Sequence, residues 1–325
     1  MPSRGKRHRK DVGRSGRRGL SLVQLLAIVK DEETAENWFI ASRWPNGISC
    51  PHCESDSIYE RPSRKPQRFR CRGCKRYFSP KTGTVLRASK IGYQAWVIAL
   101  YLMATNLKGV SSMKLHRELN ISQRAAWRLG HKIRTIWEEN GSLMLGEVEM
   151  DETWVGGIEK NKHFDKRTSP GGGPKGKVPV LGIYERDTGK VRAFVLPNVK
   201  ASTVRAAARA SVKDHSIIYT DESKAYKPLE KDNCRLRVRH WLGEYVSKVN
   251  PRVHTNSIES FWSMLKRGYK GTYHHWSPRH LQRYVTEFAG RQSLRECDTL
   301  ETMVLMVQNT VGKVLRYKDL KPKSV

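Results

Sequence analysis

The feature that most restricts how this chain can fold is a pair of Cys-x-x-Cys motifs in its first quarter. Cys50 and Cys53 form one pair, and Cys71 and Cys74 form the other after seventeen intervening residues. Each pair can fill two corners of a tetrahedron, and four thiolates satisfy Zn²⁺ without leaving an open position. The spacing therefore predicts a structural zinc site in a strand-rich ribbon that depends on metal binding to fold.

The charge of the chain points to a polyanionic partner. The 325 residues include 61 Lys and Arg against 31 Asp and Glu, which gives a net charge of +30. An excess of this size along a folded chain favours binding to nucleic acid, because each phosphate contact releases counterions. We therefore expect nucleic acid as the partner.

The composition also bears on the compartment. No apolar run reaches the roughly 18 residues that a membrane span needs, and the basic N-terminus lacks the apolar stretch of a secretory signal. Six cysteines in such a chain favour metal binding over disulfides. We expect a cytoplasmic protein that is associated with the nucleoid through DNA and not with a membrane.

Composition and pattern divide the chain into six segments, which together predict a multi-domain α/β protein. Charge runs, helical periodicity, the cysteine spacing and alternating apolar strands set the boundaries. The segments are a disordered basic arm (1–19), an N-terminal helical segment (20–46), the zinc ribbon (47–86), a helical domain (87–140), a mixed α/β domain (141–292) and a C-terminal basic tail (293–325).

The helical domain contains a candidate helix-turn-helix. A short helix ends at "NIS", and a second, basic helix begins after Ser122, which is placed to cap it. If the second helix enters a DNA groove, four of its side chains can reach the bases or the phosphates. These are Gln123, Arg124, Arg128 and Lys132. The alternative is that the two helices are only a packing unit.

Two aspartates mark the candidate active site of the α/β domain. Asp151 and Asp221 each come at the end of an apolar strand pattern. If the two strands are neighbours, the carboxylates meet and require a cation between them, and hard oxygen ligands select Mg²⁺ or Mn²⁺. Two such ions can activate an attacking oxygen and stabilise a leaving one at a phosphate. Alternatively, each aspartate is a turn or capping residue, or the adjacent Glu152 and Glu222 are the true ligands.

A helix predicted over residues 254–268 supplies further candidates. Ile258, Phe261, Trp262 and Leu265 fall on one side at about 100° per residue. The opposite side carries a polar stripe that can face metal and DNA, or only water. Its members are Asn256, Glu259, Ser263 and Lys266.

The ordered motifs resemble bacterial insertion-sequence transposases of the DDE type, in which an RNase H-like catalytic domain follows a zinc ribbon. The similarity runs from about residue 36 to residue 292. The motifs that carry it are "CPHC", "FRCRGCKRYFSPKTGTVL", "VEMDETWVGG", "VLGIYER", "YTDES" and "HTNSIESFWSMLKRGYKGTYHH".

The resemblance implies an RNase H-like mixed sheet with flanking helices and a Mg²⁺-dependent polynucleotidyl transferase that uses two ions. It implies binding to the element's terminal repeats and to target DNA, as a homo-oligomer in the transposition complex. Strand cleavage would free a 3′-OH, which then attacks target DNA by transesterification. Asp151 and Asp221 correspond to the first two metal ligands.

The third ligand position stays open at this point. The family pattern places Asn256 there, with Lys266 downstream as a phosphate-binding residue. A carboxylate binds Mg²⁺ more strongly than an amide oxygen, which favours Glu259 on the same side of the helix. Two other functions also remain open: a non-catalytic DNA-binding regulator and a structure-specific nuclease on the same fold.

Overall fold

The computed structural model describes residues 18–138, 141, 143–157, 163–167 and 174–321. These residues form two compact units. In these ranges, the first unit is drawn from residues 18–106, 110–136 and 296–321, and the second from 107–109 and 137–295. The predicted basic arm lies outside the described residues except for its last two. Within the described ranges, every helix is too short or too polar to span a bilayer.

The first unit contains the predicted ribbon. Strands β1 (Ile58–Glu60), β2 (Phe69–Cys71) and β3 (Tyr77–Phe78) pair antiparallel in the order β1-β2-β3. Phe69 and Phe78 are completely buried beside Cys50 and Cys71. Because this core is small, the ribbon needs the cysteine cluster to hold its ends together.

Two helices precede the ribbon, where the sequence predicts one helical segment. Helix α1 (Leu22–Ile28) begins after its N-cap Ser21, whose side chain accepts a hydrogen bond from the Gln24 N–H. Helix α2 (Glu32–Arg43) begins after Asp31, which forms a second capping box. The break arises because Asp31 starts a new helix by accepting the Thr34 N–H at 2.8 Å.

Three helices follow the ribbon. Helix α3 (Tyr93–Thr105) is almost entirely buried, as its unbroken apolar sequence predicts. Its N-terminus is capped by a distant carboxylate, because Glu32 accepts the backbone N–H groups of Tyr93 at 2.5 Å and Gln94 at 3.0 Å. Helices α4 (Ser112–Leu119) and α5 (Gln123–Ile136) pack together across a short turn that contains Asn120 in the left-handed conformation.

The prediction of a basic C-terminal tail over residues 293–325 is wrong for much of that segment. Helix α9 (Thr299–Gln308) packs against α2 and α3 and buries Met303, Met306 and Val307. The backbone then pairs with the segment after the ribbon, because the Val85 N–H donates to the Thr310 carbonyl at 3.0 Å. The segment is ordered despite the basic residues around it, because burial of the apolar side chains of this helix stabilises it.

The second unit is built on a mixed sheet. Its strands are β4 (Glu147–Val155), β5 (Val178–Glu185), β6 (Val191–Val195), β7 (Ile217–Thr220) and β8 (Cys234–Arg237). The order is β6-β5-β4-β7-β8, with an antiparallel meander from β4 to β6 and with β7 and β8 parallel to β4. The predicted RNase H-like mixed sheet is confirmed.

Helices cover both faces of this sheet. Helices α7 (Asn256–Gly268) and α8 (Pro278–Ser293) pack on the face that carries Val155 and Val180. Helix α6 (Ala201–Arg209) and the 3₁₀ segment Lys224–Lys231 pack on the face that carries Val148 and Met150. Odd-numbered side chains of β4 therefore point towards α7, because successive residues of a strand face opposite sides.

One glycine allows α7 to lie close to the sheet. Gly182 on β5 is paired with Asp151 on β4. A Cβ atom at Gly182 would lie 2.5 Å from Trp262 Cζ2 and 2.7 Å from Ile258 Cδ1, both on α7. Any larger side chain at this position must push the helix away from the sheet.

We expect Gly182→Ala to lower the free energy of unfolding by about 1–3 kcal/mol through overpacking. Chemical denaturation of the full chain measures this change. Gly271→Ala is the matched control, because a Cβ atom there meets nothing within 4 Å. Equal stability of the two variants would contradict the close approach of α7 to β5.

Candidate active site

The two predicted aspartates lie at the same level of neighbouring parallel segments. Asp221 directly follows β7, as predicted, whereas Asp151 lies in the middle of β4, which runs on to Val155, and not at its end. Strand β4 pairs with β7 so that Glu149 is opposite Tyr219, which places Asp151 and Asp221 each two residues further along. Burial, then the charges of Glu152 and Asp221, raise the pKa of Asp151 to about 7. The two carboxylates therefore share one electrostatic environment, as expected if their strands are neighbours.

The apolar side of α7 also contacts the site. The apolar stripe is buried as predicted, yet the ring N–H of Trp262 donates to Asp151 Oδ2 at 2.9 Å. This bond fixes the orientation of the carboxylate and holds α7 beside it. A tryptophan that completes an apolar stripe carries no signal of this second role, so sequence reasoning missed it.

A buried carboxylate positions the start of α7. Glu149 has no exposed side-chain surface, and its Oε2 accepts the backbone N–H groups of Ser257 at 2.9 Å and Ile258 at 3.0 Å. These groups carry the positive end of the helix dipole. Glu149 therefore ties α7 to β4 two residues before Asp151.

Arg186 completes this anchor. Its Nε lies 2.8 Å from Glu149 Oε1, and its guanidinium group stacks over Tyr219 at 3.8 Å. It also donates to the carbonyls of Arg252 and His254, each at 2.7 Å. One side chain thus joins β4, β7 and the segment that leads into α7.

Glu259 and Asp221 have a histidine neighbour in common. The Glu259 side chain is 38% exposed, and its Oε1 lies 3.7 Å from His240 Nε2 and accepts the Thr255 hydroxyl at 2.9 Å. Burial raises the pKa of Asp221, and a hydrogen bond from Ser223 together with the charge of His240 opposes that rise. His240 is therefore common to the surroundings of Glu259 and Asp221.

Asn256 and Lys266 are both exposed on α7. Asn256 is the first residue of the helix, and its backbone N–H donates to His254 Nδ1 at 3.4 Å. Lys266 lies in the last turn, about two turns beyond Glu259 on the same side. The structure therefore leaves the choice between Asn256 and Glu259 as a prediction.

The two alternative acids have other partners. Glu152 lies on the opposite face of β4, where the Tyr226 hydroxyl donates to its Oε2, and burial raises its pKa. Glu222 accepts the backbone N–H groups of His240 at 2.9 Å and Trp241 at 3.3 Å. Both side chains thus help to shape the loops around the aspartates.

The aspartate pair suits a divalent cation. Burial is the main cause of the raised pKa of both carboxyl groups. A bound metal ion would offset this effect, because it favours the charged form of each carboxylate. Among the described residues, the only group of three or more metal-binding side chains within 4.8 Å of one another is the cysteine cluster. A metal at Asp151 and Asp221 therefore requires water, substrate or a movement of α7 to complete its coordination.

The four cysteines form a compact cluster that fits zinc. Cys50 Sγ lies 3.7 Å from Cys74 Sγ, and Cys53 Sγ lies 3.6 Å from Cys71 Sγ. Tetrahedral ligands at 2.3 Å from Zn²⁺ are separated by about 3.8 Å. A hydrogen bond from the Cys74 N–H lowers the pKa of Cys71 to about 6, which favours the thiolate that binds metal.

The candidate DNA-contacting residues of α5 differ in their surroundings. Gln123, Arg124 and Arg128 are exposed, and Gln123 donates to Ser112 at 3.2 Å. Arg128 stacks over Tyr317 at 4.9 Å. Lys132 is half-buried, and its Nζ donates to the Arg87 carbonyl at 3.2 Å. The first three can reach a large ligand, whereas the half-buried Lys132 lines a cavity whose wall also includes Arg128.

Comparisons with known proteins match both parts of the chain. Residues 143–292 match the ISXO2-like transposase domain, and residues 30–77 match the transposase zinc-ribbon domain. An uncharacterized protein in transposable element ISH50 of Halobacterium salinarum is 30% identical over 248 residues, which cover 73% of this chain and 82% of that protein.

Two further similarities are weaker. An uncharacterized transposase-like protein of Haemophilus influenzae is 33% identical over 79 residues, which cover 24% of this chain and 61% of that protein. A chain from a pre-cleavage Mos1 transpososome aligns over 68% of this chain and 80% of its own length, with 13% identity and a TM-score of 0.26. The domain matches and the ISH50 relative establish that the chain belongs to the ISXO2-like insertion-sequence transposases.

Proposed function

We propose that this chain is a DNA transposase that cleaves the ends of its insertion sequence and joins them to target DNA. The observation that carries this proposal is the pair Asp151 and Asp221 on adjacent parallel strands. Helix α7 is held beside them by Trp262 and Glu149. Rigid strands and a tethered helix are what a metal-dependent phosphoryl-transfer site requires.

In this proposal Asp151 and Asp221 hold Mg²⁺ or Mn²⁺, with two ions at the site. When bound, these ions supply Lewis-acid stabilisation of the attacking and leaving oxygens. Trp262 keeps the Asp151 carboxylate pointing towards the shared site through its 2.9 Å hydrogen bond. Lys266, exposed at the far end of α7, binds a phosphate of the DNA that lies along the helix.

We propose Glu259 as the third ligand, with Asn256 as the alternative. Glu259 carries the negative charge that Mg²⁺ prefers, and it shares His240 with the surroundings of Asp221. Asn256 is the residue that the family pattern places in this position. Its exposed amide lies one turn before Glu259 on the same helix.

The first unit supplies DNA recognition in this proposal. The net charge of +30 favours a DNA partner by counterion release. The ribbon, with zinc at Cys50, Cys53, Cys71 and Cys74, and helix α5 present the groups that meet the element ends. Assembly of the transposition complex from several copies is part of the same proposal, and family membership supports it.

We expect Asp151→Ala and Asp221→Ala to lower Mg²⁺-dependent cleavage by about 10³-fold or more, because each removes a member of one catalytic unit. DNA binding should stay within about twofold of the unaltered chain, since neither aspartate is needed to attract phosphate. Labelled duplexes that carry the ends of the element measure binding, cleavage and joining in parallel.

Asp187→Ala is the control for these variants, because Asp187 is an exposed acid in the turn between β5 and β6. Joining by either active-site variant at the unaltered rate would contradict the catalytic assignment. Binding without cleavage by the unaltered chain would favour a regulator, and cleavage without joined products would favour a nuclease.

For the third ligand, we expect Glu259→Ala to lower cleavage more than Asn256→Ala does. Mn²⁺ should partly restore the variant that has lost a ligand, because it tolerates a poorer ligand set than Mg²⁺. Cleavage rates of both variants in each metal make this comparison. A larger loss in Asn256→Ala would assign the position to the amide instead.

We expect Cys71→Ser to reduce bound zinc from about one ion per chain towards zero and to weaken binding to the element ends. Loss of one thiolate removes most of the metal binding that folds such a ribbon, which is worth on the order of 10 kcal/mol. Zinc analysis and DNA titration measure both effects. Cys234→Ser is the control, since Cys234 is exposed and outside the cluster; unchanged zinc in Cys71→Ser would contradict the site.

A further inference from the structure

Two cavities of the first unit meet at one loop between the ribbon and α5. A cavity of about 300 Å³ is lined by Lys90, Arg128 and Lys132 together with Trp96 and Leu129. A second cavity of about 440 Å³ is lined by residues that include His52, Tyr77, Lys81 and Arg87. Ala88 lines both, so the two cavities are adjacent on either side of the loop Arg87–Ile91. We refer to them together as the cationic groove.

Two lysines hold this loop from opposite sides. Lys81 Nζ donates to the carbonyls of Ile91 at 2.7 Å and Ser89 at 3.3 Å. Lys132 Nζ donates to the Arg87 carbonyl at 3.2 Å. Carbonyl groups satisfy these ammonium groups only in part, because each ammonium carries three donors and a full charge.

The surroundings of Lys132 are positively charged. Burial, then the charges of Arg128 and Lys81, lower the pKa of Lys132 to about 8. Burial also lowers the pKa of Lys81, which Glu32 and Glu36 oppose. A half-buried lysine whose charged neighbours are all cations is unfavourable unless an anion enters.

We propose that this groove binds the phosphodiester backbone of duplex DNA, with Lys132 and Lys90 as its phosphate contacts. The inference rests on the proposed DNA-binding function and extends the contact surface from the first turn of α5 to the loop Arg87–Ile91. A phosphate fits the smaller cavity. The exposed Arg87 and Arg128 extend the positive surface along the path of the bound DNA strand. Such contacts fix the position of the duplex and carry no base sequence.

This assignment changes the role of Lys132 relative to its neighbours on α5. Arg124 is exposed in the first turn, where a recognition helix contacts base edges. Lys132 lies more than two turns further on and faces the cavity. We therefore expect substitutions at the two positions to affect specific and non-specific DNA differently.

The test compares binding of the full zinc-loaded chain to an element-end duplex and to an unrelated duplex. Lys132→Met and Lys90→Gln should each weaken binding to both duplexes by a similar factor of about 5–10, and lower the salt slope by about 1. Lys132→Arg keeps the charge and should bind within about twofold of the unaltered chain. Lys114→Gln is the control, because the exposed Lys114 is already paired with Glu118 at 3.2 Å.

Measuring DNA affinity as a function of pH provides a second test. An ammonium with a pKa near 8 loses its charge as the pH rises from 7 to 9, whereas an arginine and the phosphodiester keep theirs. The affinity of the unaltered chain should therefore fall over this range more than that of Lys132→Arg. The charged groups that face Lys132 in this comparison are Lys81, Arg87, Lys90 and Arg128.

Several outcomes would overturn the inference. Unchanged affinity for both duplexes in Lys132→Met and Lys90→Gln, with zinc and folding intact, would show that the groove does not meet DNA. A loss confined to the element-end duplex would make Lys132 a base-reading residue. If the unaltered chain binds neither duplex, both this inference and the proposed function fail; if it cleaves element ends while these variants bind normally, only this inference fails.

Discussion

The geometry of the candidate active site depends on the bond between Glu149 and the start of helix α7. A fully buried carboxylate is costly unless its charge is compensated. Here two helix N–H groups and the guanidinium group of Arg186 supply that compensation. The bond joins residues that are 108 positions apart in the chain. It sets the distance between α7 and β4, and thereby where Glu259, Trp262 and Lys266 lie relative to Asp151.

The same device appears in the first unit. Glu32 of α2 accepts the first N–H groups of α3, across 61 residues. The residue that precedes this helix is Gly92, which has no side chain to act as a cap. In both units, therefore, a carboxylate from another element caps the N-terminus of a helix whose own N-cap residue makes no side-chain capping hydrogen bond. Each bond stabilises tertiary packing and helix formation together, because it joins a carboxylate of one element to the N–H groups at the start of another.

Local patterns predicted much of the fold. Alternating apolar residues indicated β4 to β7, and helical periodicity indicated the buried stripe of α7, because burial follows these periods directly. The sequence "LRVRHW" at residues 236–241 predicts a strand there, whereas β8 begins and ends earlier, at Cys234–Arg237. Ser202 is a residue type that favours the N-cap, yet it lies inside α6, which begins at Ala201. Such small shifts are expected where propensity is weak and tertiary contacts decide the end of an element.

The site was less predictable than the fold, since its decisive contacts are non-local. The apolar strand patterns singled out Asp151 and Asp221, although Asp151 lies within β4 and only Asp221 follows the end of its strand. The roles of Glu149, Arg186 and Trp262 depend on strand order and helix placement. Nothing in an apolar stripe distinguishes a tryptophan that donates to a carboxylate from one that only packs. Sequence alone left two candidates for the third metal ligand for the same reason, because Asn256 and Glu259 share one side of one helix and differ mainly in charge.

The return of the chain to the first unit has a consequence for biosynthesis. Residues 299–312 complete the packing around α2 and α3 and pair with the segment after the ribbon. The ribosome makes these residues after the whole second unit. A nascent chain therefore completes its first unit only after the second unit has been synthesised. Premature termination before residue 299 would leave the first unit with an exposed hydrophobic face and hence prone to aggregation.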